Sequence, residues 1–382
     1  MAKIRVLIVD DSVVIRRLLT DILSQDLELE VAGIAANGQI ALAKLDQVNP
    51  DIVTMDIEMP IMDGLETLKA LRKTHPKLPV IMFSTLTERG SVQTLDALAL
   101  GASDYVAKPA NVGSVMAGME RISAELIPKI KSLCRRSQPA TVTPAAQASA
   151  VVRPVFAPRT AMGAVGGGGG VDVLAIGVST GGPNALATLL PGLMRNFPVP
   201  ILIVQHLPPL FTRLLAERLA SVTSMNACEG CAGAVLETGH VWVAPGGFHM
   251  EVERSFNRVQ LRLHEEAPEN SCRPAVDVLF RSVAKVYGSR VLAVILTGMG
   301  QDGLRGCESV REAGGQVVVQ DEESSVVWGM PGAVSQAGLA EKVLPLGDIA
   351  AEINRRVAGG LPSGAWAFSP RINSTLSGSI NI

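Results

Sequence analysis

The stretch "VDVLAIGVSTGGP", residues 171–183, decides how the larger part of the chain is read. An apolar run too short for a buried helix ends in a serine among glycines, and a proline follows where a helix would begin. The pattern reads as strand, tight turn, helix. Two chemistries use such a turn: a cradle of free backbone N–H groups for phosphate, and a support for a nucleophilic hydroxyl. The cradle lacks its essentials here, because this stretch contains no G-x-G-x-x-G and no Lys-Ser/Thr pair follows its glycines. "GVSTG" (Gly177, Ser179, Gly181) fits G-x-S-x-G. Taken alone, Ser179 reads better as a helix N-cap than as a nucleophile, so its neighbours must choose.

Outward from this turn, residues 171 to about 358 alternate strand-like runs, "PILIVQH", "RVLAVILTG" and "GQVVVQDE", with helical patterns. That alternation implies a doubly wound parallel sheet. Between them, 232–264 ("GHVWVAPGGFHMEVE", "RVQLRLH") reads as an antiparallel ribbon. A serine nucleophile needs a base, which on a parallel sheet means another carboxyl strand end. His75 lies in the first half of the chain and His240, His249 and His264 in the ribbon, whereas His206 ends a strand directly. "RVLAVILTGMGQDG" ends a third strand and reaches Asp302, which could orient the imidazole or merely cap a helix. The backbone N–H of Thr180, with a second donor near Met299, would form the oxyanion hole.

The first 125 residues repeat the α/β alternation with five strands, "IRVLIVD", "EVAGIA", "DIVTMD", "VIMFST" and "DYVAKP". In the first helix Ser12 is placed to cap, and Val14, Leu18 and Ile22 share a face. Four strands end in reactive side chains: Asp10 and Asp11, Asp56, Ser84, and Lys108 before Pro109. Parallel strands bring these ends to one edge. Three crowded carboxylates need a cation, and an all-oxygen site suits Mg²⁺.

Residues 126–170 are expected to form a flexible linker, rich in Pro, Ala, Ser and Thr and closing in five glycines. The tail 359–382 lacks periodicity and reads as disordered, "GAWAF" within it being either a docking peptide or plain extension. A chain of 382 residues suits two cores. A net charge of −2 offers no bulk field for nucleic acid, and no apolar run is long enough to span a membrane. With no export signal, a cytoplasmic protein without membrane insertion is expected. The five cysteines are odd in number and scattered, so no disulfide framework is expected, and Cys228-Glu-Gly-Cys231 is only half a zinc site.

"LIVDDS", "DIVTMDIEMPIMDGLE", "FST" and "DYVAKP" resemble the response-regulator receiver domain. The resemblance implies that Asp56 is phosphorylated by a histidine kinase, that Asp10 and Asp11 help hold Mg²⁺, and that Glu58 offers its backbone carbonyl. It also implies that Ser84 and Lys108 bind the phosphoryl group, with Tyr105 as a rotating aromatic. "GVSTGGP", "VQH", "VWVAPGGFH", "RPAVDVLFRS", "TGMGQDG" and "VWGMPGAV" resemble the catalytic domain of the chemotaxis protein-glutamate methylesterases. That second resemblance implies a Rossmann-like esterase domain beside a flavodoxin-like receiver, with Ser179, His206 and Asp302 catalytic and Thr180 and Met299 at the oxyanion site. No cofactor is implied in the esterase site. Methylated chemoreceptors would be the substrate, and receptor glutamines a second one, by deamidation. Two readings stay open: a receiver-controlled hydrolase of another ester or amide, and a phosphorylation-dependent docking protein without catalysis.

Overall fold

The computed structural model describes residues 2–85, 87–108, 115–134 and 170–359. The expected linker beyond Cys134 and the tail from residue 360 lie outside these residues, and so does Pro109.

The first domain alternates β1 (Ile4–Val9), α1 (Val13–Ser24), β2 (Leu29–Ala35), α2 (Gly38–Val48), β3 (Ile52–Asp56), α3 (Gly64–Thr74), β4 (Val80–Ser84), α4 (Glu88–Ala99), β5 (Asp104–Ala107) and α5 (Val115–Cys134). The sheet is parallel in the order β2-β1-β3-β4-β5, the flavodoxin-like arrangement. The winding direction reverses between β1 and β3, so Asp10 and Asp56 meet at the switch point where such sheets bind ligands. Ser12 caps α1 by accepting the Ile15 N–H. Val14 leaves the expected face and is 74% exposed. The first turn of α1 lies past the strand ends, so only Leu19, Ile22 and Leu23 are fully buried.

The helix α5 runs past residue 125 to Cys134. Residues 126–134 are therefore helix rather than linker, because Ile122, Leu126, Ile130 and Leu133 repeat at helical spacing and are buried against the sheet.

The second domain follows with β6 (Val173–Val178), α6 (Gly182–Leu189), β7 (Ile201–Gln205), α7 (Phe211–Val222), β8 (Asn226–Glu229), β9 (His240–Val243), β10 (His249–Ser255) and β11 (Arg258–His264). It is completed by α8 (Val276–Tyr287), β12 (Val291–Ile295), α9 (Leu304–Glu312), β13 (Gln316–Gln320), α10 (Met330–Gln336), β14 (Lys342–Leu344) and α11 (Leu346–Ala358). Seven strands form one parallel sheet in the order β14-β13-β12-β6-β7-β9-β8.

The ribbon is smaller than its sequence suggests. Among the described strands β10 and β11 alone pair antiparallel, with an isolated bridge from Val235 to Gln260, while "HVWV" is β9 of the main sheet. Val241, Trp242 and Val243 are buried in succession, as befits a strand covered on both faces rather than a half-solvated hairpin. The short edge strands β8 and β14 carry too little apolar signal to be seen in the sequence.

The two domains meet through α4, which packs on α6 and α7. Apolar contact continues where the Tyr105 ring stacks on Phe211 with centroids 5.0 Å apart. Among the described residues no helix is long and apolar enough to cross a membrane.

Candidate functional site

Ser179 follows β6 directly, and its place depends on close backbone packing. Gly177 lies within the strand rather than in the turn: a Cβ there would come within 2.4 Å of Val276 Cγ1, so its absence lets β6 sit against α8. Gly181 takes the left-handed conformation at φ +80° and is the N-cap of α6, so Ser179 is not the cap. The turn is closed by Gly182 N–H donating to Ser179 O at 2.8 Å and by Gln205 Nε2 donating to the same carbonyl at 2.9 Å. Among the described residues the Ser179 hydroxyl makes no hydrogen bond, and the N–H groups of Thr180 and Met299 donate to no acceptor.

Gly177 registers with Val204 of β7 and Ile295 of β12, so His206 and the loop after β12 leave the sheet at the same edge as Ser179. Between β6 and β12 the winding direction reverses, which makes this edge a switch point too. His206 Nε2 lies 2.8 Å from Asp302 Oδ2. Burial pulls the imidazole pKa down, but the Asp302 hydrogen bond and the Cys272 sulfur outweigh it and push it up to about 9.

Asp302 is buried and held from all sides. Its Oδ2 also accepts the Val276 N–H at 2.6 Å, and its Oδ1 accepts from Asp277 N, Gly303 N and Asn270 Nδ2, each at 3.0 Å. Val276 and Asp277 are the first residues of α8, so the carboxylate is anchored at a helix N-terminus as well as by its imidazole partner. Burial favours the protonated acid, yet His206 and these donors hold its pKa below the usual carboxylate range. Neighbouring Asp277 is pushed up to about 6, first by burial and also by the Asp302 charge, against the lowering bond from Gly306 N–H.

Ser179 and His206 open into a cavity of about 750 Å³ that both domains line, with Asp104, Tyr105 and Lys129 on the far wall. The Thr180 hydroxyl donates to Asp104 Oδ2 at 2.6 Å, a bond buried between the domains. Asp104 Oδ1 accepts from the Tyr105 N–H at 2.8 Å and lies 3.4 Å from Lys129 Nζ. Asn184 Nδ2 reaches Leu98 O at 2.5 Å, and two exposed pairs, Arg213–Glu88 and Arg218–Asp96, rim the contact.

In the first domain, one carboxylate oxygen from each of Asp10, Asp11 and Asp56 falls within 4.8 Å of the others. Lys108 Nζ lies 2.7 Å from Asp56 Oδ2 and 3.1 Å from Asp10 Oδ2. Burial raises the Asp56 pKa, with Lys108 opposing it. Asp10 Oδ2 is buried with only the Lys108 ammonium beside it among the described residues, and the three carboxylates offer an all-oxygen donor set, which together fit a hard cation such as Mg²⁺. The Glu58 N–H approaches Asp56 Oδ1 at 3.4 Å, and Glu58 lines the same pocket.

Ser84 lines this pocket, but its hydroxyl points elsewhere. Its Oγ sits 2.6 Å from Thr94 Oγ1 and 3.2 Å from Gly90 O, both on α4. Tyr105 is buried against Phe211, and its phenol pKa is raised well above the ordinary value, chiefly by burial.

Residues 174–353 match the family model described as CheB methylesterase, and residues 6–120 match the response regulator receiver domain. A relative from Trichodesmium erythraeum, named protein-glutamate methylesterase/protein-glutamine glutaminase, is 53% identical over 94% of this chain and 100% of its own. The chain belongs to the CheB methylesterase family. A relative of the same name from Nocardioides sp. is also 53% identical, over 95% of this chain and 98% of its own. The solved catalytic domain of Thermotoga maritima CheB methylesterase is 41% identical, covering 48% of this chain and 98% of that one with a TM-score of 0.48.

Ser179, His206 and Asp302 lie at one sheet edge as the sequence placed them, but most of the residues that position them were not visible in the sequence pattern. Gln205, Asn270, Cys272, Asp277 and Thr297 all touch the site or its supports. Gln205 and Asp277 sit inside "VQH" and "RPAVDVLFRS", so those blocks already held the signal. Nothing in the sequence marks Asp104 as a partner of Thr180, because that bond joins different domains.

Proposed function

We propose that the chain is a phosphorylation-activated serine esterase that cleaves glutamate methyl esters on the cytoplasmic helices of chemoreceptors, releasing methanol, and deamidates receptor glutamines. One observation carries this reading. Ser179, the His206–Asp302 pair and the undonated N–H groups of Thr180 and Met299 share one sheet edge in a CheB methylesterase fold.

Asp302 engages Nε2, which leaves Nδ1 of His206 to take the Ser179 proton as Oγ attacks the ester carbonyl. The carbonyl oxygen becomes an oxyanion facing the Thr180 and Met299 N–H groups. Asp302 stabilises the imidazolium, which returns its proton to the departing methoxide and frees methanol. Water, deprotonated by the same imidazole, then cleaves the acyl-serine and releases the glutamate carboxylate. With an amide substrate the leaving group is ammonia, and the steps are otherwise the same.

For control, Asp56 receives a phosphoryl group from a chemotaxis histidine kinase. Asp10, Asp11, Asp56 and the Glu58 carbonyl would hold Mg²⁺, which would neutralise the crowded carboxylates and stabilise the charge of phosphoryl transfer. Lys108 pairs with the added charge. For Ser84 to reach the phosphoryl group it must leave Thr94 and Gly90, which disturbs α4 and hence its packing on α6 and α7. The unphosphorylated receiver thus covers the Ser179 edge, with Tyr105 moving when α4 does. We assign receiver residues to 1–125, the link to 126–170 with its first turns helical, the esterase to 171–358 and an extension to 359–382. The receptor and kinase partners place the enzyme in the cytoplasm, with neither nucleic acid nor membrane insertion in its action.

The test is methanol release from methylated receptor. Ser179→Ala should abolish it with the fold retained, and Asp56→Asn should abolish stimulation by a phosphodonor with Mg²⁺. Normal turnover in the first variant, or equal stimulation in the second, would refute the corresponding step.

A further inference from the structure

We propose that His206, Cys272 and Asp302 form a binding site for a divalent cation of the zinc class, and that occupancy silences the esterase. The silencing rests on the function proposed above; the binding does not. One ligand atom from each residue falls within 4.8 Å of the others. Cys272 is free, half-buried and on the wall of the same cavity as Ser179, so an ion in solution can reach it.

The thiol is held in place by an unusual turn. Glu269 and Cys272 exchange both backbone hydrogen bonds, at 3.1 and 2.8 Å, around Asn270 and Ser271, whose φ values are +51° and +63°. Two consecutive left-handed residues that are not glycine persist only where their surroundings hold them. Here the holder is Asp302 itself: Asn270 Nδ2 donates to its Oδ1 at 3.0 Å and to Asp277 Oδ2 at 2.9 Å. The carboxylate that orients His206 therefore also fixes the segment carrying Cys272.

The donor chemistry selects the ion. Imidazole nitrogen, thiolate sulfur and carboxylate oxygen suit Zn²⁺ or Co²⁺ and not Mg²⁺, and three protein ligands leave a fourth position open to the cavity. Among the described residues the other such cluster is the all-oxygen set of Asp10, Asp11 and Asp56, so the two sites sort cations by softness. Tetrahedral zinc would separate the nitrogen and oxygen donors by about 3.3 Å at ordinary bond lengths. His206 Nε2 and Asp302 Oδ2 now share a proton at 2.8 Å, so the ion takes that proton's place with a small movement apart, and the metal-bound neutral imidazole keeps its one proton on Nδ1. The thiol proton is released as well. An imidazole bound to the ion no longer works with Asp302 as a base toward Ser179.

Metal-free full-length protein carrying Cys228→Ser and Cys231→Ser, which removes the exposed thiol pair, is titrated with Co²⁺ and followed by near-ultraviolet thiolate-to-cobalt absorption. One thiolate-bound Co²⁺ per chain is expected, displaced by Zn²⁺. Adding Cys272→Ser should remove the band and weaken Zn²⁺ binding by about tenfold or more. In the unaltered chain, one equivalent of Zn²⁺ should slow alkylation of Cys272 about tenfold, read by peptide mass spectrometry and reversed by a chelator. Zn²⁺ should also suppress acylation of Ser179 by a small serine-directed reagent, and Cys272→Ser should lose this suppression relative to its own metal-free rate. Absence of the band, its persistence in Cys272→Ser, or unprotected Cys272 would overturn the site. Equal suppression of acylation with and without Cys272 would overturn the silencing.

Discussion

Asp104→Asn should partly release the esterase without phosphorylation. Thr180 and Asp104 are each buried, 6% exposed, and their 2.6 Å hydrogen bond crosses the domain contact beside the proposed oxyanion site. A hydrogen bond to a charged acceptor contributes about 1.5–3 kcal/mol and a neutral one about 0.5–1.5, so neutralising Asp104 weakens the contact by about 1 kcal/mol. The flanking pairs Arg213–Glu88 and Arg218–Asp96 are exposed and contribute about 0–1 kcal/mol each, so they do not compensate. Lys129 keeps Glu125 at 2.9 Å and Tyr105 O at 2.7 Å, so the receiver loses no essential partner. One kcal/mol is about a fivefold change in the open population. The assay is methanol release from methylated receptor by unphosphorylated full-length chain, where a fivefold rise is expected. With phosphodonor and Mg²⁺ the variant and the parent should converge, since the open state no longer makes this bond. A basal rate equal to the parent's, or the same ratio under both conditions, would refute the latch.

Because His206 must be neutral to act as base and its pKa is held at about 9, Ser179 acylation in the unphosphorylated chain should rise with pH to a midpoint near 9. Burial lowers that pKa and the Asp302 hydrogen bond opposes it, so Asp302→Asn should move the midpoint down while slowing the limiting rate; an unmoved midpoint would contradict the assignment. Gly177→Ala forces a Cβ to 2.4 Å from Val276, whose N–H holds Asp302. Thermal melting should show a loss of about 1–3 kcal/mol, with esterase activity reduced as well. Thr94→Val removes the hydroxyl that parks Ser84 on α4. It should cost about 1–3 kcal/mol in chemical denaturation, by the loss of a buried hydrogen bond, and increase basal methanol release.

The sequence carried the two α/β halves and the identity of the polar residues that end their strands. Both follow from local pattern: apolar runs of strand length alternate with helical periods, and parallel strands must end on a common edge. Asp10, Asp56, Lys108, Ser179 and His206 were legible because each lies at or next to such an end. Asp302 was reachable because only a short glycine-containing loop separates it from β12. The helical extent of α5 and the placement of "HVWV" in the main sheet were misread, since both depend on which neighbour covers an apolar run.

What the tertiary structure alone decided is how those side chains are held and which surfaces face each other. Asp302 is oriented by the N-terminus of α8 and by Asn270, partners that lie 25 to 32 residues away in the chain. Cys272 comes beside His206 through a turn whose conformation depends on the same anchor. Thr180 meets Asp104 across 76 residues and a domain boundary. Strand and helix patterns record only which residues seek burial or a bend, because those preferences are set by near neighbours. A hydrogen bond between distant segments leaves no period behind it, so it is fixed only when the packed domains bring donor and acceptor together.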